Sequence, residues 1–195
     1  MFNVNFWGVK LPRIIEDPRE LILSEAKKIL ENEGYSQISI RRVAKECGIA
    51  VGTIYNYFPT KKGLIVEMMT DFWEEYFCDI EPILNSQEGF YIKLKKLFSD
   101  LAQFIKRFRE IWLHHELYSS PDYIESGLKR KNLYIDQLIG IIEELLVKEV
   151  YHKENVKSFN SNNMASFILI NFISMVQMPY FDYQFFERIL KAVIQ

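Results

Sequence analysis

The sequence has few of the residues that mark secreted, zinc-binding or membrane proteins. Its two cysteines, Cys47 and Cys78, lie far apart and form no CxxC motif, so neither a disulfide framework nor a zinc knuckle is predicted. The first 13 residues lack the leading cation and apolar run of a signal peptide. The longest apolar stretch, from Met164 to Met178, has 15 residues, which as a helix cover about 22 Å of a hydrocarbon core roughly 30 Å thick. These absences predict a cytoplasmic protein without a membrane partner.

Glycine and proline are also scarce, at eight and six residues, and they fall between periodic apolar segments. Asp17, Pro18 and Glu20 have the pattern of a capped helix start, and Gly34 has that of a helix end. No segment alternates apolar and polar residues as a half-buried strand does. We therefore predict an all-α chain of about nine helices, whose later members cover residues 90–108, 110–118, 121–150, 164–178 and 181–194.

Two short helices are predicted on either side of Gly48. The first follows Ser39 as its N-cap, and the second covers residues 51–58 and ends before Pro59. With so few residues between them, these helices cannot lie antiparallel along their lengths, so the segment is typical of a helix-turn-helix.

The net charge of −2 conceals a polarised chain. Residues 1–65 carry +3 and residues 66–195 carry −5, while residues 36–62 alone carry +4. Arg41 and Arg42 occupy the first turn after Ser39, and Lys61 and Lys62 the first turn after Thr60. Cations there oppose the helix dipole at a cost of about 0.3–1 kcal/mol each. Either they are simply solvated, or phosphate oxygens bind at both helix starts.

The residues of the second short helix favour the phosphate interpretation. Ile54 and Phe58 share the inward face, which leaves Thr53, Tyr55 and Tyr57 on the other faces. Gly52 is a poor helix former, and its presence in the first turn suggests the close approach of DNA or another backbone. Placed in a major groove, this helix would present its first residues to base edges.

The run from Ser39 to Leu64, SIRRVAKECGIAVGTIYNYFPTKKGL, resembles the signature of the TetR family of transcriptional regulators. Ala50 and Val51 depart from the common pattern, which has Ser and often Lys there. The resemblance implies an arm over residues 1–16, a DNA-binding domain over 17–62, and a ligand-binding and dimerisation domain over 63–195. It implies a ligand-responsive repressor that binds a palindromic operator as a homodimer. The DNA contacts it implies, with Thr53 and Asn56 nearest to base edges, are Ser39, Arg41, Gly52, Thr53, Tyr55, Asn56, Tyr57 and Lys61.

Residues 66–195 hold 22 of the 29 aromatic residues. Phe104, Phe108 and Trp112 share one face if a single helix contains them, but a break near Arg109 is an alternative. Such a stripe is either core packing or the wall of a pocket for a small apolar or aromatic ligand. The pocket hypothesis names as candidate ligand-binding residues Phe104, Phe108, Trp112, His115, Tyr118, Tyr134 and Asn171.

The charge-free stretch from Met164 to Met178 is interpreted as part of a homodimer interface. Ser166, Ile170 and Ser174 form a narrow ridge at helical spacing, and a second amphipathic helix is predicted from Phe181 to Ile194. The alternative is that both helices are core of a monomer.

Two other classes of protein, a metal-dependent helical enzyme and a helical carrier, each match only part of the sequence. His114, His115 and His152 lie near glutamates, as in helical di-iron enzymes, but those need two Glu-x-x-His pairs and the chain has one. The sequence has no HExxH motif and no glycine-rich phosphate loop, so no enzyme, metal or cofactor is predicted. A helical small-molecule or lipid carrier would explain the aromatic residues but not the +4 segment.

Overall fold

A computed structural model describes residues 17–109, 121–151 and 159–194. This part of the chain contains eight α-helices, one short 3-10 helix at Tyr35–Gln37 and no strand, which confirms the all-α prediction. The helices are α1 (Pro18–Glu33), α2 (Ile40–Cys47), α3 (Val51–Tyr57), α4 (Lys61–Asn85), α5 (Phe90–Arg107), α6 (Pro121–Glu149), α7 (Ser161–Gln177) and α8 (Tyr183–Ile194). The predicted arm over 1–16 and the predicted helix over 110–118 lie outside the described residues.

Side-chain caps start the helices of the N-terminal region. The Asp17 carboxylate accepts a hydrogen bond from the backbone N–H of Glu20 at 2.9 Å, and the Ser39 hydroxyl accepts one from the N–H of Arg42 at 3.1 Å. The Thr60 hydroxyl accepts from the N–H of Gly63 at 2.9 Å. Each cap satisfies an N–H group that has no partner within its helix, which is why the helices begin where the sequence predicts.

Glycine ends the first two helices. Gly34 and Gly48 have positive φ angles, of 88° and 66°, which side-chain-bearing residues rarely adopt. Gly48 is in the left-handed conformation, and its N–H reaches the carbonyls of Ala44 and Lys45. The chain therefore turns sharply after α2, and α3 begins only three residues later.

The chain divides into two compact units, one before and one after the boundary between Met68 and Met69. In the first, α1 packs against α2 and α2 against α3. Its core consists of Ile22, Leu23, Ala26, Ile29, Leu30, Tyr35, Ile38, Val43, Ala44, Ile54, Phe58, Leu64, Ile65 and Met68. In the second, α5, α6 and α7 pack together, and Trp73 stacks on Tyr134 at 5.1 Å between ring centroids.

Six boundaries differ from the sequence prediction, four of them helix ends that come one residue earlier, and local hydrogen bonds explain the two helix starts that differ. The Asn160 side chain accepts from the N–H of Asn163, so α7 begins at Ser161. The Asp182 carboxylate accepts from the N–H of Phe185, so α8 begins at Tyr183. α5 ends at Arg107, so Phe108 lies just after the helix that contains Phe104. Trp112 lies outside the described residues. In the described part of the chain, no helix combines the length and apolar character needed to cross a membrane.

Candidate nucleic-acid interface and cavity

The inward residues of α2 and α3 fix how the helix-turn-helix presents its outer surface. Ile54 and Phe58 are 0% and 2% exposed, and Val43 is 0% exposed. Because these side chains hold both short helices against α1 and their neighbours, the remaining faces of α2 and α3 point to solvent. The core packing therefore determines which side chains are available to a partner.

The solvent face of α3 carries two large aromatic residues. Tyr55 and Tyr57 are 49% and 42% exposed, and Asn56 beside them is also exposed. Thr53 is half-buried. A Cβ atom on Gly52 would meet nothing within 4 Å, so no contact inside the chain requires glycine there. These features agree with a surface that another molecule approaches closely.

Two neighbouring arginines on α2 have different surroundings. Arg42 is held by two carboxylates, with its Nη2 atom 2.9 Å from Glu33 Oε1 and its Nε atom 2.8 Å from Glu46 Oε1. Arg41 is exposed and, among the described residues, forms neither a hydrogen bond nor an ion pair. Lys45, also exposed, lies four residues after Arg41 on the same face. Lys45 was not among the predicted DNA contacts, although its spacing from Arg41 was a signal for it.

The start of α4 places a lysine ammonium group beside a buried ring. Lys61 Nζ lies 4.5 Å from the ring centroid of Tyr35, which is itself only 4% exposed. The ring face attracts the ammonium and limits where it can go. Lys61 is thereby kept at a helix N-terminus, where the free N–H groups and the dipole favour an anion.

α3 begins without a side-chain cap. Ala50 is its N-cap residue and contributes no side-chain hydrogen bond, so only the Ala50 carbonyl, which accepts from the N–H of Thr53 at 2.9 Å, closes the first turn. The N–H groups at the start of α3 therefore donate no hydrogen bond to the side chain of Ala50.

A second candidate site is a cavity of about 260 Å³ in the C-terminal unit. Its aromatic lining comes from α4 and α5 and from the residue after α5: Phe72, Tyr76, Phe104 and Phe108. Its polar lining consists of Glu75, Asp79, Asp100, Gln103 and Arg107. The structure thus brings together two of the predicted ligand-binding residues, Phe104 and Phe108, in a cavity that is more polar than the prediction assumed.

The buried polar groups of this cavity have perturbed acidities. Burial raises the pKa of Asp100, and the neighbouring Asp79 carboxylate raises it further, while Lys96 acts in the opposite direction. Burial also raises the pKa of Tyr76, and the Asp100 carboxylate adds to this effect. The Tyr76 hydroxyl and the Asp100 carboxylate therefore lie close enough to influence each other.

Two other predicted ligand-binding residues, Tyr134 and Asn171, lie elsewhere. Tyr134 stacks on Trp73, and the Asn171 amide donates to the Phe167 carbonyl of its own helix at 2.8 Å, and neither residue lines the cavity. Trp112, His115 and Tyr118 are outside the described residues. Tyr76, Asp79 and Asp100 were missed, although Phe72 and Tyr76, and Asp100 and Phe104, each stand four residues apart on one helix face.

The described residues contain no group of three or more His, Cys, Asp and Glu side chains that could hold a metal ion. The three histidines weighed for an enzyme site, His114, His115 and His152, are not among those residues.

Comparisons with known proteins agree with the N-terminal geometry. The sequence model described as "Bacterial regulatory proteins, tetR family" matches residues 22–68. The HTH-type transcriptional regulator YuxN of Bacillus subtilis is 33% identical over 61% of this chain, but the match spans only 37% of YuxN. An HTH-type transcriptional regulator of Haemophilus influenzae is 23% identical over 92% of both chains. The crystal structure of the transcriptional regulator FadR from Bacillus subtilis, in complex with stearoyl-CoA, has a TM-score of 0.62 at 17% identity and covers 80% of this chain and 84% of FadR.

Proposed function

From the premise that its residues 22–68 match the sequence model of the tetR family of bacterial regulatory proteins, we propose that this chain belongs to that family and is a sequence-specific DNA-binding transcriptional regulator. It acts as a homodimeric repressor of a palindromic operator and responds to a small ligand. The observation that carries the proposal is the outer face of the helix-turn-helix. There the seven-residue helix α3 exposes Tyr55 and Tyr57, and α2 before it exposes Arg41, which forms no ion pair in the described part of the chain.

In this proposal α3 enters the major groove. Its first residues, with Thr53 foremost, read base edges, because the N-terminal end of a recognition helix is the part that reaches deepest. The hydroxyl groups of Tyr55 and Tyr57 donate hydrogen bonds to phosphate oxygens on either side. Asn56 is exposed between them and serves as the second base-reading side chain.

The phosphate contacts come from the helix starts around α3. Ser39 and Arg41 at the start of α2, and Lys61 at the start of α4, combine side-chain donors with free N–H groups at a helix N-terminus. Such contacts set the register on the duplex and supply most of the salt-dependent affinity, whereas base contacts supply the specificity.

The homodimer forms through α7 and α8. Ile170 on α7 is 62% exposed, and Phe167 and Met178 beside it are 44% and 55% exposed. Phe185 and Ile189 add exposed apolar surface on α8. α7 contains no charged residue, so no charged side chain on it opposes close contact with a partner helix. The proposed partner at this surface is a second copy of the chain, because two recognition helices about 34 Å apart can read successive major grooves of a palindromic operator.

The ligand site of this proposal is the cavity between α4 and α5. FadR, which shares the fold, is described in complex with stearoyl-CoA, and the cavity here supports binding of a different and smaller molecule. Binding of that ligand favours one of two conformations and lowers operator affinity, with a coupling free energy of about 1–3 kcal/mol in typical cases.

The test of DNA binding is a selection from random duplex DNA followed by mobility-shift titration. The proposal predicts enrichment of a palindrome, and Tyr55→Phe and Lys61→Ala should each weaken binding to it. Tyr180→Phe is the matched control for the tyrosine, because Tyr180 is 90% exposed and lies in the other unit. The proposal is wrong if no sequence is enriched, or if the control weakens binding as much as Tyr55→Phe does.

The test of the dimer is the oligomeric state in solution. Ile170→Glu should convert the dimer to a monomer in sedimentation equilibrium, because it places a charge in the apolar interface. Leu133→Glu is the matched control, since Leu133 is 64% exposed and belongs to α6, which is not one of the two helices of the proposed interface. A dimer that survives Ile170→Glu and dissociates with Leu133→Glu would assign the interface to another face.

A further inference from the structure

The cavity of the C-terminal unit carries more negative than positive charge. Its lining has the carboxylates of Glu75, Asp79 and Asp100 against one guanidinium, that of Arg107. Among the residues that the structure describes, Asp79 and Asp100 accept no hydrogen bond and form no ion pair. Asp100 is half-buried, so water satisfies its carboxylate only in part. Two carboxylates that form no hydrogen bond or ion pair within the described residues, at the edge of an aromatic cavity, favour a cation.

The aromatic part of the lining accommodates positive charge. The guanidinium carbon of Arg107 lies 5.1 Å from the ring centroid of Phe72 and 5.2 Å from that of Phe108. Both distances are within the range in which a ring face attracts a cation. The same rings offer apolar surface to the body of a ligand, so one molecule with a cationic head and an apolar body matches both parts of the cavity.

The hydroxyl of Tyr76 offers a hydrogen-bonding group to a ligand in the cavity. Tyr76 is 5% exposed and lines the cavity, and its hydroxyl has no hydrogen-bond partner among the described residues. Among the described residues, the fully enclosed hydroxyls without a partner are those of Tyr151 and Tyr183, so the Tyr76 hydroxyl, on a side chain that is otherwise buried, remains accessible to a molecule in the cavity. The electrostatic influence of Asp100 on the same hydroxyl places the two oxygens near each other.

We propose that this cavity binds a small primary or secondary amine in its protonated form, with the ammonium group donating hydrogen bonds to Asp100 and to the Tyr76 hydroxyl and the apolar body lying against Phe72, Phe104 and Phe108. The proposal rests on the ligand-responsive function proposed above and names the chemical class of the ligand. An organic acid would instead meet three carboxylates, those of Glu75, Asp79 and Asp100, against the single guanidinium of Arg107.

The volume limits the size of the amine. At about 260 Å³, the cavity is slightly smaller than the 300–1,000 Å³ or so typical of sites for drug-sized ligands. A single aromatic ring with a short aminoalkyl chain is therefore the appropriate probe.

The experiment is isothermal titration calorimetry of the full chain, without DNA, against three probes of similar shape. 2-Phenylethylammonium is the cation, 2-phenylethanol its neutral counterpart and 3-phenylpropionate the anion. The ammonium compound should bind at least about tenfold more tightly than the alcohol, because a charge-assisted hydrogen bond is worth at least that factor. The anion should bind more weakly than the alcohol.

Three variants assign the binding to this cavity. Asp100→Asn should weaken the ammonium probe by about tenfold and leave the alcohol unchanged, and Tyr76→Phe, which keeps the ring, should weaken it by a smaller factor. Glu74→Gln removes the same charge from the same helix as Asp79, but Glu74 does not line the cavity, so this control should bind as the unmodified chain does. Thermal unfolding of each variant checks that it is folded.

Three results would overturn the amine assignment. They are tighter binding of 3-phenylpropionate, equal losses in Asp100→Asn and Glu74→Gln, and an absence of measurable binding of the ammonium probe. A chain that binds no selected DNA would refute the regulator but leave the calorimetric result standing, so the two failures are distinguishable.

Discussion

The two adjacent arginines of α2 should respond to substitution in opposite ways. Arg41 has no ion pair in the described part of the chain, whereas Arg42 bonds the carboxylates of Glu33 and Glu46. Arg41→Ala should therefore weaken DNA binding without lowering stability. Each phosphate contact contributes about 0.9 to the slope of log Kobs against log salt concentration, so a dimer that loses two contacts should show a slope shallower by about 1.8. Between 50 and 200 mM salt, this difference changes the relative affinity by about twelvefold.

Arg42→Ala should lower stability and change the salt slope little. Its side chain and those of its two partners are 38–39% exposed. Two such exposed ion pairs are together worth about 1 kcal/mol, which corresponds to a fall in Tm of about 2–4 °C for a chain of this length. Mobility-shift titrations at four salt concentrations and thermal unfolding of both variants measure these effects. This division of roles is refuted if Arg42→Ala reduces the slope of log Kobs against log salt concentration as much as Arg41→Ala does.

Three further substitutions test the local physics of the two units. Gly48→Ala should lower the free energy of unfolding by about 1 kcal/mol, because a φ of 66° strains a residue with a Cβ even though the space is open; an unchanged urea midpoint would contradict this. Ala50→Ser should raise it by about 1 kcal/mol by capping α3, and an equal gain with Ala50→Val would show that the hydroxyl is not the cause. Because burial raises the pKa of Asp100 in the folded state, ionisation of this residue costs stability, and its contribution is lost as the pH rises through that pKa. Asp100→Asn should therefore raise Tm at pH 7 but not at about pH 3, below the ordinary aspartate pKa, and a gain of equal size at both pH values would contradict the assignment.

Much of the N-terminal unit was predictable because its determinants are local. Asp17, Ser39 and Thr60 each cap a helix through a hydrogen bond to an N–H three residues later. Gly48 needs only its own φ angle to turn the chain. Such interactions depend on short stretches of sequence, so composition and spacing reveal them.

The different surroundings of Arg41 and Arg42 were predictable only in part. Arg42 and Glu46 stand four residues apart on one helix, a spacing that the sequence shows, whereas the contact with Glu33 is tertiary. Glu33 lies nine residues before Arg42, at the end of another helix, and only the packing of α1 against α2 brings the two together. Helix-start position alone made the two arginines look equivalent.

The cavity was predicted only in part for the same reason. Phe104 and Phe108 were chosen for their aromatic spacing, whereas Tyr76 and Asp79 come from a helix that the sequence does not connect to them. Aromatic spacing also gives no information about carboxylates such as Asp100, whose role depends on the residues of α4 that line the same cavity. A single sequence does not show which helices, distant along the chain, pack against each other.

In the proposed function, a homodimer forms through the exposed apolar surface around Ile170, and the cellular concentration of the protein becomes part of its regulation. A face of this kind pairs by mass action, so below the dissociation constant of the dimer a twofold rise in total chain raises the dimer about fourfold. Operator occupancy then depends on the second power of protein abundance. A small change in synthesis or degradation of the chain is thereby converted into a steep change in the fraction of operator that is occupied.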